Sequence, residues 1–162
     1  MLAIAGVLLS VAIPSMRSMT LNNAMVSCRD SLAGAIKMAR SEAVNTQSVV
    51  TICPSVNQSG CGGDWADGWI VFADDDESGT RNNSSERLVD VDACSNNVGI
   101  GNGAALAGIS FSAIGIKLGN AATIGICDSE ATEGINGRAI LLTATGALSY
   151  SSVAADANCP TP

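Results

Sequence analysis

Met1-Leu2-Ala3-Ile4-Ala5-Gly6-Val7-Leu8-Leu9-Ser10-Val11-Ala12-Ile13-Pro14 opens the chain, and an amphipathic stretch running to Gln47 follows it. Beyond the proline, Leu21, Met25, Cys28, Leu32, Ile36, Ala39 and Ala43 recur at steps of three or four residues. That is the spacing of one stripe on an α-helix. It predicts a helix over 15–45, with Arg17, Asn22, Arg29, Lys37, Arg40 and Glu42 on a solvated face. Pro14 removes a backbone donor and crowds the preceding turn, so the rod is expected to kink or break there. Gly6 is a second weak point. At a 1.5 Å rise per residue the whole rod reaches on the order of 70 Å, more than the width expected of the domain that follows. Part of its length must therefore lie outside its own core. The apolar run is too short to span a bilayer, which needs about 20 residues. The chain is expected to begin inside a longer hydrophobic segment.

Composition narrows the function. Aromatic residues make up only 3% of the 162, while 47% are hydrophobic, so the core must be built from Ile, Val, Leu and Ala. The formal net charge of −7 repels phosphate backbones and counts against nucleic-acid binding. There is no histidine, which removes Ser-His-Asp and Cys-His catalysis and the commonest metal ligand. The six cysteines, Cys28, Cys53, Cys61, Cys94, Cys127 and Cys159, form no C-x-x-C pair. Their wide spacing favours disulfides in an oxidising compartment over a zinc site. Cys53–Cys61 is expected because the two bracket a short loop, and Cys127–Cys159 because it would tie the tail to a strand. Cys28 and Cys94 are left, either to bridge helix to sheet or with Cys28 as a buried thiol on the apolar stripe.

After Asn45 short β-branched runs alternate with turn residues. Strands are expected at Ser48–Cys53, Ile70–Ala73, Arg87–Asp92, Gly108–Ser112, Gly115–Leu118, Ala122–Cys127, Arg138–Ala144 and Ala147–Tyr150. Asp74–Glu86 is polar throughout and reads as a loop; Ser95–Ala107 is weakly patterned. No long helical stretch follows Gln47. The expected fold is α+β: one long helix whose C-terminal half covers an antiparallel sheet, its N-terminal half free. The chain divides into 1–47, the helix, with 1–14 the hydrophobic segment and 15–47 the amphipathic half, and 48–162, a disulfide-containing β head.

Several pieces, taken in order, resemble the type IV pilin-like proteins, specifically the GspH/FimT class of minor pilins and pseudopilins. The run ending Ala12-Ile13-Pro14 is similar to the pilin transmembrane helix up to its proline. Ala39-Arg40-Ser41-Glu42-Ala43-Val44 looks like the class's helix-end signature. A strand ending in cysteine, Trp65-x-x-Gly68-Trp69 running into a strand, an Asp-rich loop, Phe111-Ser112-Ala113-Ile114-Gly115 and Thr145-Gly146 complete the set. The resemblance implies a type IV pilin fold and a structural subunit of a pilus or of type II secretion, not an enzyme. It implies helix packing through Leu2, Ile4, Val7, Leu8, Val11, Ile13 and Pro14. The implied partners are other minor and major pilins, the inner membrane before assembly, and the pilus assembly platform. The head would lie in the periplasm, and outside the cell after assembly. By register with Pro14, about eight mature residues, including a phenylalanine and a glutamate, are expected to precede Met1. The resemblance leaves as an alternative a pilus-tip binding module for DNA uptake or adhesion. DNA-binding members carry arginines after the C-terminal glycine; here the stretch is Gly146-Ala147-Leu148-Ser149, and that counts against DNA.

Other patterns weigh less. Asp74, Asp76, Ser78 and Gly79 fall at the first, third, fifth and sixth places of an EF-hand-like loop. The twelfth place is Ser85, and Glu86 misses it by one. An acidic, solvated turn is expected, with no metal or cofactor. Trp65 and Trp69 read as caps on a β core starved of aromatics, Gly99-x-Gly101-x-Gly103 as a flexible loop. Asp90 and Asp92 share a strand face, but nothing in the sequence places them in a cleft.

Overall fold

The helix stripe sets the architecture. In the computed structural model, which describes residues 2–82, 86–95, 97–102, 106–128 and 137–153, α1 runs from Leu2 to Thr46. Side chains are described from Met16 onward, apart from Asn102 and Val153. The helix continues through Pro14 instead of breaking there, since a proline removes only one backbone donor and the turns on either side keep theirs. It stops at Gln47, whose φ of 54° is the left-handed conformation that ends many helices.

Eight strands follow: β1 (Val50–Pro54), β2 (Trp69–Ala73), β3 (Leu88–Asp92), β4 (Val98–Asn102), β5 (Ile109–Phe111), β6 (Ala122–Asp128), β7 (Gly137–Leu142) and β8 (Leu148–Val153). A 3-10 turn, Trp65–Asp67, leads into β2. The strands form two antiparallel four-stranded sheets, ordered β3-β2-β1-β5 and β4-β6-β7-β8, where the strand spacing alone suggests one. The Gly/Asn/Ala-rich segment supplies β4. Gly99 and Gly101 alternate with Val98 and Ile100 and pair with Cys127 and Gly125, so they are strand residues and not a flexible loop. Interior glycine weakens the local strand signal, and β4 forms because β6 offers it a ladder. Gly103 lies outside the described residues. Gly115–Leu118 is not a strand. Ser112–Gly115 is a tight turn, Gly115 N–H donating to Ser112 O at 2.8 Å, and only a lone bridge joins Phe111 to Lys117.

One apolar core joins all three layers. The stripe from Leu21 to Ala43 is buried throughout. Met25, Leu32, Ile36, Ala39 and Ala43 meet Val50, Ile52, Trp69 and Val71 of the first sheet and Ile100, Ile124, Ile126 and Ile140 of the second. The alanines let the sheets approach the helix axis closely, and each buried Ile or Leu contributes about 1.5–3 kcal/mol. The first sheet is covered on its other face too. There Cys53, Ile70 and Phe72 pack with Cys61 and Val91 under the loop that Cys53–Cys61 closes. Both tryptophans are buried. Trp65 donates its indole N–H to Leu106 O at 2.8 Å.

Candidate assembly surface

The helix changes environment at Leu21. Residues 16–20 are exposed on every side, with Met16 at 72% and Met19 at 68%. From Leu21 onward one face is sealed by the head. Leu2, Ile4, Val7, Leu8, Val11, Ile13 and Pro14 lie on the helix, but their side chains fall outside the described set. Among the residues whose side chains are described, no helix is long and apolar enough to cross a membrane.

Four ties fix the sealed half to the head. Asn22 Oδ1 accepts from Arg138 Nη2 on β7 at 2.6 Å. Cys28 is joined to Cys94, just past β3, with Cα atoms 5.1 Å apart. Arg40 Nη1 donates to Gly146 O at 3.0 Å, and Glu42 pairs with Arg87. The face carrying Asn22, Arg40 and Glu42 is thus partly engaged by the head, whereas the spacing had suggested plain solvation. Cys53 and Cys61 are joined with Cα atoms 5.6 Å apart. Cys127 is in disulfide linkage; Cys159 lies outside the described residues.

Ala39-Arg40-Ser41-Glu42-Ala43 gains a physical account here. Ala39 and Ala43 are fully buried and seat the helix, Ser41 faces solvent, and Arg40 and Glu42 reach different sheets. Arg40 meets the β7–β8 turn and lies against Gly115; Glu42 meets the start of β3. Gly146 holds φ at 79°. A Cβ there would sit 3.0 Å from Gly115 O, 3.2 Å from Phe111 Cε1 and 3.4 Å from Arg40 Cζ. Gly146→Ala is expected to destabilise the fold by at least ~1–2 kcal/mol, from the left-handed backbone alone. A lower urea midpoint with an unchanged m-value will show it.

The Asp-rich loop is better anchored than a solvated turn. Asp74 and Glu86 are buried at its two ends, and residues 75–78 are exposed. The carboxylates of Asp74, Asp76 and Glu86 lie within 4.8 Å of one another. Their oxygens accept from the loop and its neighbours. Thr51 Oγ1 donates to Asp74 at 2.6 Å, the Ser78 N–H reaches Asp74 and Asp76, and the Gly79 N–H reaches Asp74. The Asn82 side chain donates to Asp76, and its N–H to Glu86. The side-chain bonds from Asn82 and Ser78 hold the Asp76 carboxyl below its ordinary pKa. Ser85 lies outside the described residues. Asp90 and Asp92 sit on β3, an edge strand, opposite Val71 and Trp69.

A second surface was not legible in the sequence. Tyr150 stands on the edge strand β8, 45% exposed, beneath α1. Arg29 Cζ lies 5.2 Å and Lys37 Nζ 5.8 Å from its ring centroid. Beside it Ile36, Lys37, Arg40, Gly146, Leu148 and Tyr150 line a groove of about 240 Å³. Arg29 and Lys37 belong to the helix pattern, but nothing local marks Tyr150 as their partner.

Known proteins place this geometry. Residues 29–146 match the family model described as type II transport protein GspH. The type IV minor pilin FimU of Pseudomonas aeruginosa shares the fold in two crystal forms. One aligns with a TM-score of 0.60 at 18% identity over 82% of this chain and 92% of that one. The other gives 0.60 at 21% over 77% and 90%. The minor pseudopilin EpsH from the Type 2 Secretion System of Vibrio cholerae aligns with a TM-score of 0.54 at 11% identity, over 80% and 96%. No curated protein sequence matches significantly. The family match takes in most of the sealed helix, strands β1 to β7 and the Arg40–Gly146 contact: the chain belongs to the GspH family of type II transport proteins.

Proposed function

We propose that this protein is a structural filament subunit, a minor pilin that takes part in type IV pilus assembly, with the matching pseudopilin of type II secretion as its close variant. The observation that carries this reading is the change of environment along one helix. Residues 16–20 are exposed just where the helix leaves the head that seals the remainder, so this stretch is open to packing against other helices. In this reading 1–14 is the segment shared between the inner membrane and neighbouring pilins. Residues 15–47 join it to the head, and 48–162 is the periplasmic β head that reaches the cell exterior after assembly. The assembly platform and other minor and major pilins are its partners. No catalytic role, cofactor or nucleic acid enters it. FimU is described as a type IV minor pilin and EpsH as a secretion pseudopilin, which supports both variants; the additional disulfides favour the pilus.

The test places a photo-cross-linking residue at Met16 or Met19 in cells that build the filament. Adducts with the N-terminal helix of another pilin are expected. Removing the gene is expected to lower pilus number if the subunit serves the pilus, and secretion if it serves the secretion system. Adducts with lipid alone, together with normal pili and normal secretion in the deletion strain, would sink the proposal.

A further inference from the structure

The cation-lined groove at Tyr150 has an electrostatic imbalance that the fold does not resolve. Over residues 16–46 the helix carries two acids, Asp30 and Glu42. Both are engaged: Asp30 by Arg29 at 2.7 Å, Glu42 by Arg87. Lys37 and Arg40 meet no carboxylate among the described residues. Arg40 is held by Gly146 O, and Lys37 leans on the Tyr150 ring beside Arg29. Arg29 is balanced by Asp30, so Lys37 over the ring and Arg40 alongside are the two cations that give this spot a local positive field, on a chain whose net charge is −7. The groove between them has an apolar floor of Ile36 and Leu148. Its wall is the edge strand β8, which pairs only with β7 among the described strands.

We infer that the groove formed by Lys37, Arg40 and Tyr150 docks a short acidic, extended peptide segment of a neighbouring subunit. Carboxylates on that segment complement Lys37 and Arg40. Its main chain can add hydrogen bonds along the outer edge of β8, and alternate side chains would reach the apolar floor. A space of about 240 Å³ admits one or two side chains and is far too small to track a nucleic-acid backbone. The net negative charge opposes a long polyanion far more than a short peptide with a few carboxylates, for which the adjacent Lys37 and Arg40 dominate. The inference rests on the filament-subunit reading for the source of the segment, and on the groove alone for its chemistry.

Fluorescence anisotropy with the full chain in detergent provides the test. The probe is a short labelled peptide of alternating aspartate and alanine, with a serine–alanine peptide as control. The acidic peptide is expected to bind at low ionic strength and weaken with salt; the control is expected not to bind. Lys37→Glu, an exposed substitution that leaves the core untouched, is expected to weaken binding on the order of tenfold. Tyr150→Phe keeps the ring face and is expected to bind as the parent does. Equal binding by the Lys37→Glu protein, or no binding by the parent, overturns the inference. So does tighter binding of a single-stranded oligothymidine, or displacement of the peptide by inorganic phosphate at equal concentration. Cross-links at Met16 or Met19 lie at the other end of the helix. Their presence alongside failed peptide binding would remove the groove inference and leave filament membership standing.

Discussion

Replacing Cys28 and Cys94 together by alanine is expected to lower the unfolding free energy by about 4 kcal/mol, the chain-entropy value for a bridge of this span. The two residues are 66 apart in sequence, so the bond closes most of the first sheet into one loop with the helix. Its loss frees the unfolded chain more than loss of Cys53–Cys61, with a separation of 8, would. The short loop gives about 2.5 kcal/mol on the same scale. Urea titration of the two double-alanine proteins is the measurement. If both lose equal stability, the bond acts through native packing and not through the unfolded chain. Cys28 is itself buried, so Cys28→Ser with Cys94→Ser is expected to cost more than the alanine pair, by leaving a hydroxyl among apolar neighbours.

The second large effect belongs to Trp69. The chain has only five aromatic side chains: two Trp, two Phe and one Tyr. Trp69 is among the largest that are fully buried, on β2 opposite Pro54 and Asp92. Trp69→Ala is expected to cost about 3–5 kcal/mol, because the tightly packed core around it, Trp65 and Phe111 included, cannot collapse far enough to fill the space. Phenylalanine separates volume from polarity. The indole N–H of Trp69 has no hydrogen-bond partner among the described residues, whereas that of Trp65 bonds Leu106 O. Trp65→Phe therefore leaves a carbonyl short of a donor, and Trp69→Phe removes a buried group that had none. On the hydrogen-bonding side alone, Trp65→Phe is expected to be the costlier by about 1 kcal/mol. Thermal unfolding of the three variants followed by circular dichroism checks the order.

The helix was legible in the sequence because its stripe repeats for many turns, and period is a stronger signal than propensity. The first two strands were legible from compact β-branched and aromatic runs. β4 was not, since its glycines contribute no strand preference and its existence depends on β6, more than twenty residues away. Ile114, Ile116 and Leu118 alternate as a half-buried strand would, yet all three are exposed around a tight turn. Alternation cannot tell a core-facing edge from a turn that shows both flanks to water. Nor is the number of sheets written locally: β5 returns to β1 while β4 crosses to β6, and only the whole packing decides that. The segment around Arg40 resembles a family motif, but its linking of α1 to two separate sheets is a tertiary arrangement that no local pattern encodes. Tyr150 carried no signal, because a lone tyrosine on a serine-rich strand gives no hint of the helix above it.

The anchoring points along α1 run from Asn22 to Glu42, about 30 Å of axis, and they end on both sheets. A tug directed along that axis is met in shear by all of them together, so the stalk cannot be peeled away one contact at a time. Tension entering ahead of Leu21 spreads through the whole head, and the sulfur bridge at Cys28 limits how far the stalk can slide.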